Sequence, residues 1–291
     1  MQALNALFHG IGDVFGAVLH PFVLVFANLL IGTYHLIAAV HLPYPFAISI
    51  IIVTLLLKFV TYPLMAKQLR HQKKIMELSP KVNELKKLHK EDQKKFFTAQ
   101  QQLYKENGIS QVSGCLPSLI QLPFLYGVYI LLNKIVVHPA DMVNYINSLV
   151  LPPLRISHQL DIGLFGISLG KSPSSLMSVI GAGIILVPVI TAFLTFIQSK
   201  MMSPTPVKEY KSDSPKEKKE KQESADMAMQ MQGQMMFLLP LMIGYSSFIF
   251  PLGLALYWNV STIFGIIQQY KITGPGGLTP IWQKITKLLN K

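Results

Sequence analysis

Four stretches of this chain, about Phe46–Met65, Leu116–Val137, Ser175–Gln198 and Met229–Tyr270, carry almost no charge and are each as long as a membrane is thick. A hydrocarbon core about 30 Å deep is crossed by about 20 apolar residues in a helix. Hydrocarbon offers the backbone no hydrogen bonds, so runs of this kind fold as helices that satisfy their own amides. The last run is too long for one span, and Phe250-Pro251-Leu252-Gly253 divides it into a tight hairpin of two. Composition agrees: of 291 residues 51% are hydrophobic and only 14% charged, against about 25% charged in soluble domains. The expected fold class is an all-α polytopic membrane protein.

Its charge is distributed as that class requires. Residues 1–57 contain no Lys or Arg, Lys67–Glu106 holds eleven with five acids, Lys200–Lys221 seven more, and the end from Lys271 another four with no acid. Basic clusters beside apolar spans mark the cytoplasmic side. Five spans, with the N-terminus outside, put all three basic segments inside. A nucleic-acid-binding domain would spread its cations over one soluble face, so no direct nucleic-acid readout is expected. The single cysteine, Cys115, excludes an internal disulfide and a zinc site of paired thiolates; it is expected to pack as a small residue at the entry of the second span. The N-terminus lacks the basic region of a cleavable signal, a lipobox cysteine and the Arg/Ser bias of a transit peptide. A bacterial plasma membrane is the expected location, or that of the mature form of an organellar protein.

The remaining segments follow from periodicity. Leu4, Leu7, Phe8, Ile11, Phe15, Val18 and Leu19 form one face of an amphipathic, interfacial helix. Phe22–Val40 is nearly long enough to span, yet Asn28, Gly32 and His35 line one face, so pattern alone lets it span or lie flat. The resulting plan has interfacial N-terminal helices (1–43), a first span (44–69), a cytoplasmic helical hairpin (70–114) and a second span (115–138). An extracytoplasmic loop (139–174), a third span (175–199), a flexible Lys/Glu/Ser/Pro-rich loop (200–228), the span hairpin (229–272) and a basic tail (273–291) complete it. In the cytoplasmic hairpin, Ile75, Leu78, Val82, Leu85 and Leu88 keep a narrow apolar seam, and Pro80 is expected to kink that helix.

Lys58 is the anomaly. Thirteen uncharged residues, Pro45–Leu57, precede it, and a cation within a span costs about 2.5–3.5 kcal/mol on insertion scales. Either its stem snorkels to the headgroups, or it faces a water-filled cavity in the bundle. No Asp or Glu falls in any expected span, which counts against a proton relay or an ion-coupled transporter. Gln121, Gln198, Asn259, Gln268 and Gln269 could line the same cavity, although each alone equally suits a helix–helix hydrogen bond worth about 0.6 kcal/mol. Tyr257 and Trp258 are packing or belt aromatics, Trp258 lying deeper than a belt needs. Met201, Met202 and the cluster Met227, Met229, Met231, Met235 and Met236 suit adaptable apolar contacts or gap filling. The chain has no GxSxG, HExxH or P-loop pattern, and its eight histidines lack ligand spacing. No enzymatic activity, catalytic residue, metal or cofactor is expected.

Three blocks, in order, resemble the YidC family of membrane-protein insertases and its mitochondrial and chloroplast relatives. They are TLLLKFVTYPLMAKQLRHQKKIMELSPKVNELKK, LYKENGISQVSGCLPSLIQLPFLYGVY and FPLGLALYWNVSTIFGIIQQY, supported by DIGLFGISLG and ILVPVITAFLTFIQSKMM. The resemblance covers residues 22–272. It implies five core spans around a hydrophilic groove open to cytoplasm and lipid, and an outer-face interfacial helix at Phe22–Val40. Lys58 stands where the family usually has arginine, and Gln198 and Trp258 match groove-lining positions. Gln121 and Tyr257 join them as expected groove residues. The cytoplasmic hairpin, with Arg70, Lys73, Lys74, Pro80, Lys86 and Lys87, is expected to recruit substrates. Lysine keeps the charge but lacks the planar fork of arginine. Ser110-Gln111 replaces a frequent Asn-Pro, and the large extracytoplasmic domain of some members has no counterpart, which makes this a short form.

The expected function is insertion and folding of integral membrane proteins, with acidic substrate tails drawn transiently to Lys58. Nascent membrane proteins, the lipid bilayer, the ribosome and the Sec translocon are the expected partners. The alternative is a small anion channel or transporter using Lys58 as its site. A purely structural assembly role, indifferent to that charge, is a third. In the tail, Ile281, Trp282, Ile285, Leu288 and Leu289 share a helical face behind Thr279-Pro280, which suits a membrane surface or a ribosome contact equally.

Overall fold

The computed structural model describes residues 2–89, 92–109, 125–134, 141–203 and 237–279, apart from the side chains of 2–18, 87 and 93. Cys115, Gln121, the loop beyond Ser203, the Met227–Met236 cluster and the tail helix lie outside them. The helices are α1 (Gln2–Ala39), α2 (Pro45–Glu77), α3 (Ser79–Leu88), α4 (Gln93–Glu106) and α5 (125–134). They continue with α6 (Met142–Leu149), α7 (Pro173–Ile180), α8 (Leu186–Met202), α9 (Phe237–Ile249) and α10 (Leu252–Thr273). The chain is an all-α polytopic membrane protein. Among the described residues, three helical segments are long and apolar enough to cross a membrane, Leu19–Ala39, Pro45–Glu77 and Ala182–Met202, and α9 is a shorter apolar helix.

Three boundaries differ from the sequence reading. The two N-terminal segments are one helix running through Pro21; a proline removes one amide donor, and the long helix tolerates that loss. Pro80 does not kink a helix, because α2 ends at Glu77 and Pro80 falls in the first turn of α3, where its missing N–H has no intrahelical partner to lose. The third apolar run is interrupted after α7 by Gly181, whose φ of 86° a side chain would resist; a 3-10 turn, Ala182–Ile185, then leads into α8.

The chain divides into two compact units, Met1–Val60, Ser118–Thr191 and Gly244–Ser261 forming unit 1, and Thr61–Pro117, Ala192–Ile243 and Thr262–Lys291 forming unit 2. Unit 1 has an apolar core. Val23, Phe26, Ala27, Leu30, Ile31 and Tyr34, at three-four spacing on α1, pack with Phe46 and Ile50 of α2, Leu131 of α5, Ile146 of α6 and Leu254 of α10. The polar stripe on α1 docks the segment after α6. Asn28 donates to Leu149 O at 3.0 Å and accepts from Leu151 N–H at 2.8 Å. His35 Nε2 lies 3.2 Å from Leu154 O, and the Tyr34 hydroxyl accepts from Asp161 N–H at 3.1 Å. Asn147 clasps Ile156 through both its amide atoms. Two short strands, β1 (Gly163–Leu164) and β2 (Ile167–Ser168), pair antiparallel around Phe165 and Gly166, both at positive φ, the conformation of a two-residue hairpin turn. Beyond β2, Leu169 O and Lys171 O accept from Gly253 N–H and Leu252 N–H, satisfying amides that the first turn of α10 cannot pair internally.

Unit 2 contains the α3–α4 pair, joined by a short connection and packed together. Asp92 caps α4, its carboxylate accepting Lys95 N–H at 3.0 Å, and a surface ion pair with Lys95 at 3.4 Å adds little. The turn after α10 nests on the end of α8. Gly276 has φ 53°, and a β-carbon there would collide with the carbonyl of Met201.

Candidate functional site

Three helices of this protein, α2, α8 and α10, expose apolar side chains while burying polar ones among an otherwise apolar interior. On α2, Ile52, Leu56, Phe59 and Val60 are exposed, Val60 by 68%, while Ser49, Thr54 and Gln68 are buried. On α8, Val189, Ile190 and Phe193 are exposed and Thr191 and Thr195 buried; on α10, Ile263 and Ile267 are exposed and Ser261, Thr262, Gln268 and Gln269 buried. Apolar faces turned outward suit lipid, and polar residues turned inward are how membrane bundles build interiors. Several of these hydroxyls are spent locally. Ser49 donates to Pro45 O and Thr54 to Ile50 O, each at 2.6 Å, and Thr191 donates to Val187 O at 2.9 Å.

Lys58 shares the inward face. At 100° per residue it lies within about 60° of Thr54 and Thr61, and its exposure is intermediate while Phe59 and Val60 beside it are open. Tyr257 is 2% exposed and part of the unit 1 core, and Trp258 is half-buried against that core. Lys58, Tyr257 and Trp258 thus all belong to unit 1.

Gln198 belongs to unit 2. It is half-buried near the end of α8, and its Nε2 occupies the space that a β-carbon on Gly265 would need. The end of α8 and the second half of α10 therefore meet through Gln198 and Gly265. One turn on, Gln268 Nε2 donates to Tyr62 O at 3.1 Å, and Tyr62 and Phe264 meet edge to face, their centroids 6.5 Å apart. Gln72 donates to Met202 O at 3.3 Å. Asn259 Oδ1 is buried without a hydrogen-bond partner among the described residues. Gln121 lies outside the described residues.

The residues expected to recruit substrates are on the surface. Arg70, Lys73, Lys74 and Pro80 are exposed and Lys86 half-exposed, whereas the side chain of Lys87 lies outside the described residues. Among the described residues, no cluster of His, Cys, Asp and Glu could hold a metal.

Sequence reading missed Gln68 and His71 on α2. Gln68 is 7% exposed, and both atoms of its amide, like His71 Nδ1, are buried without a partner among the described residues. Gln68 follows Thr61 by seven residues and so repeats its place on the helix face, but the basic stretch around it reads as solvated.

Comparison with known proteins converges on one family. The 60Kd inner membrane protein family matches residues 38–275. Proteins named membrane protein insertase YidC are similar to the chain: that of Rickettsia akari is 34% identical over 229 residues, covering 78% of this chain and 35% of the relative. Those of Rickettsia rickettsii and Rickettsia prowazekii are 33% and 32% identical over the same lengths. The chain thus spans about a third of the length of these relatives. By the extent of both matches, this protein belongs to the 60Kd inner membrane protein family, that of the YidC insertases.

Proposed function

We propose that the chain inserts and helps fold integral membrane proteins of a bacterial inner membrane, passing their polar segments through a cation-bearing hydrophilic interior open to the cytoplasm and to lipid. The observation that carries this reading is the burial of polar side chains on α2, α8 and α10 behind exposed apolar ones, with Lys58 on the side of α2 that holds Thr54. Family membership and the name of its relatives support it.

The work required is the lowering of a transfer barrier. A polar tail crossing hydrocarbon must lose its hydration, and a wet interior replaces part of that path. Lys58 attracts acidic tails, more strongly where the dielectric is low. Gln198, Trp258, Gln121 and Tyr257 line or support the interior, and no covalent step or cofactor is needed. Release follows when the substrate's apolar helix is buried in lipid, at about 0.8 kcal/mol per CH₂. Arg70, Lys73, Lys74, Pro80, Lys86 and Lys87 belong to a cytoplasmic hairpin that recruits nascent chains. The N-terminus faces out and the basic tail in, within reach of the ribosome and the Sec translocon.

The test is insertion of a single-span substrate with an acidic outer tail into proteoliposomes holding the wild type, Lys58→Arg, Lys58→Ala or Lys58→Glu. Arginine should sustain insertion, and alanine and glutamate should abolish most of it. Equal insertion by all four would make Lys58 a snorkelling residue and remove the charge from the mechanism. Anion uptake by the purified chain, lost in Lys58→Ala, would favour the channel instead.

A further inference from the structure

Gln68 is a carboxamide shielded from solvent and left, among the described residues, without a partner at either end. Glutamines nearby in unit 2 behave otherwise: Gln72 donates to Met202 O and Gln268 to Tyr62 O. His71, three residues on and hence on the same side of α2, keeps Nδ1 buried and unpaired as well. Buried polar groups are almost always satisfied, and an unmade pair in a low dielectric is costly. Two such residues in one helical turn therefore hold places for groups that the described residues do not supply.

We propose that Gln68 and His71 form a binding site for the unpaired peptide groups of an extended polar substrate segment. A carboxamide donates from Nε2 and accepts at Oε1, so it matches the C=O and N–H of a peptide group together. His71 adds a donor or an acceptor according to its tautomer. These atoms are closed to solvent, so a substrate reaches them only as neighbouring side chains give way. The Gln68 carboxamide carries no charge, so it reads any sequence whose backbone is free, where Lys58 favours acidic ones. It also rejects helical segments, whose amides are already bonded to each other, and so leaves the apolar span of a substrate to lipid. This site rests on the insertase reading above.

The experiment uses the full chain in proteoliposomes and a single-span substrate whose tail is neutral and polar. That tail removes the attraction to Lys58. The Gln68→Met variant, apolar and close in volume, should keep the wild-type melting temperature and insert this substrate about tenfold more slowly, as expected for one or two lost hydrogen bonds. In a Cys115→Ser background, Gln68→Cys should form disulfides with cysteines placed in the substrate tail and none with cysteines in its apolar helix. A wild-type rate for Gln68→Met overturns the site, as does the absence of tail disulfides. Should Gln68→Met lower the melting temperature, the crosslink alone decides. A wild-type chain that inserts no substrate overturns the insertase reading, and the site with it; an active wild type matched by Gln68→Met overturns the site alone.

Discussion

In unit 1, Asn28 and Asn147 each use both atoms of their amides, and Tyr34 uses its hydroxyl, to hold the segment between α6 and β1. In unit 2, Gln68 has neither atom of its amide engaged by any described residue. The side chains are chemically alike, and what differs is whether the fold supplies their partners. Among the described residues of unit 1, Asn28 and Asn147 spend their amides on architecture, while Asn259 Oδ1 is left open. Open amides lower stability, and departures from local satisfaction collect where a protein does its work. The contrast separates polar groups that hold a loop from those available to a ligand.

The comparison breaks most visibly at Asn28. Asn28→Leu keeps the branched outline of the side chain but strands Leu149 O and Leu151 N–H and removes the bond to Leu24 O, and should cost about 2–3 kcal/mol for the lost hydrogen bonds and a partly buried carbonyl. Thermal unfolding in detergent measures it. A loss below about 1 kcal/mol would mean that water replaces the amide and that unit 1 is not held as argued.

Gly265→Ala comes next and sharpens the same contrast in unit 2. A methyl there must displace the Gln198 amide. Overpacking costs about 1–3 kcal/mol, partly offset by the roughly 1 kcal/mol that alanine gains over glycine within a helix. The net stability change should be near 1 kcal/mol, and insertion of an acidic-tailed substrate should fall more than stability does. Unchanged insertion would remove Gln198 from the path. Smaller still, and opposite in sign to Asn28→Leu, is the stability effect of Gln68→Met. Removing two unsatisfied buried groups should leave the melting temperature unchanged or raise stability by up to about 1 kcal/mol. A clear loss would show that Gln68 is tied down after all, which erases the difference between the units.

The apolar spans were legible because hydrocarbon imposes a length and forbids charge, a constraint written in composition. Lys58 stood out for the same reason. The polar stripe Asn28, Gly32 and His35 was visible too, but its purpose was not, since Asn28 meets a loop 121 residues away. Pro80 was misread because its effect depends on whether α2 has already ended. At Glu77 it has, and a proline that breaks a helix interior begins one instead. Gly181 was passed over inside an apolar run, where periodicity carries no mark of a positive φ. Gln68 was hidden in a basic, polar stretch that reads as solvated, since sequence alone does not tell which of its polar side chains the fold buries.

The smallest expected effect concerns Asp92, a polar group that unit 2 does satisfy. Its carboxylate is exposed and accepts the backbone N–H of Lys95, and that hydrogen bond holds its pKa below the usual carboxylate value. A carboxyl depressed in the folded state contributes its stabilisation above the unfolded value, about 3.9. That contribution is lost as pH falls through the lower, folded value. The first turn of α4 should therefore be equally protected from amide exchange at pH 7 and pH 5, and should open only below the ordinary carboxylate range. Asp92→Asn retains an acceptor and should erase this acid dependence, whereas Asp92→Ala should loosen the turn at every pH. Exchange at the Lys95 amide measures both. If Asp92→Ala left that amide as protected as in the wild type, the cap would be an incidental contact, and the start of α4 would be held by its packing on α3 instead.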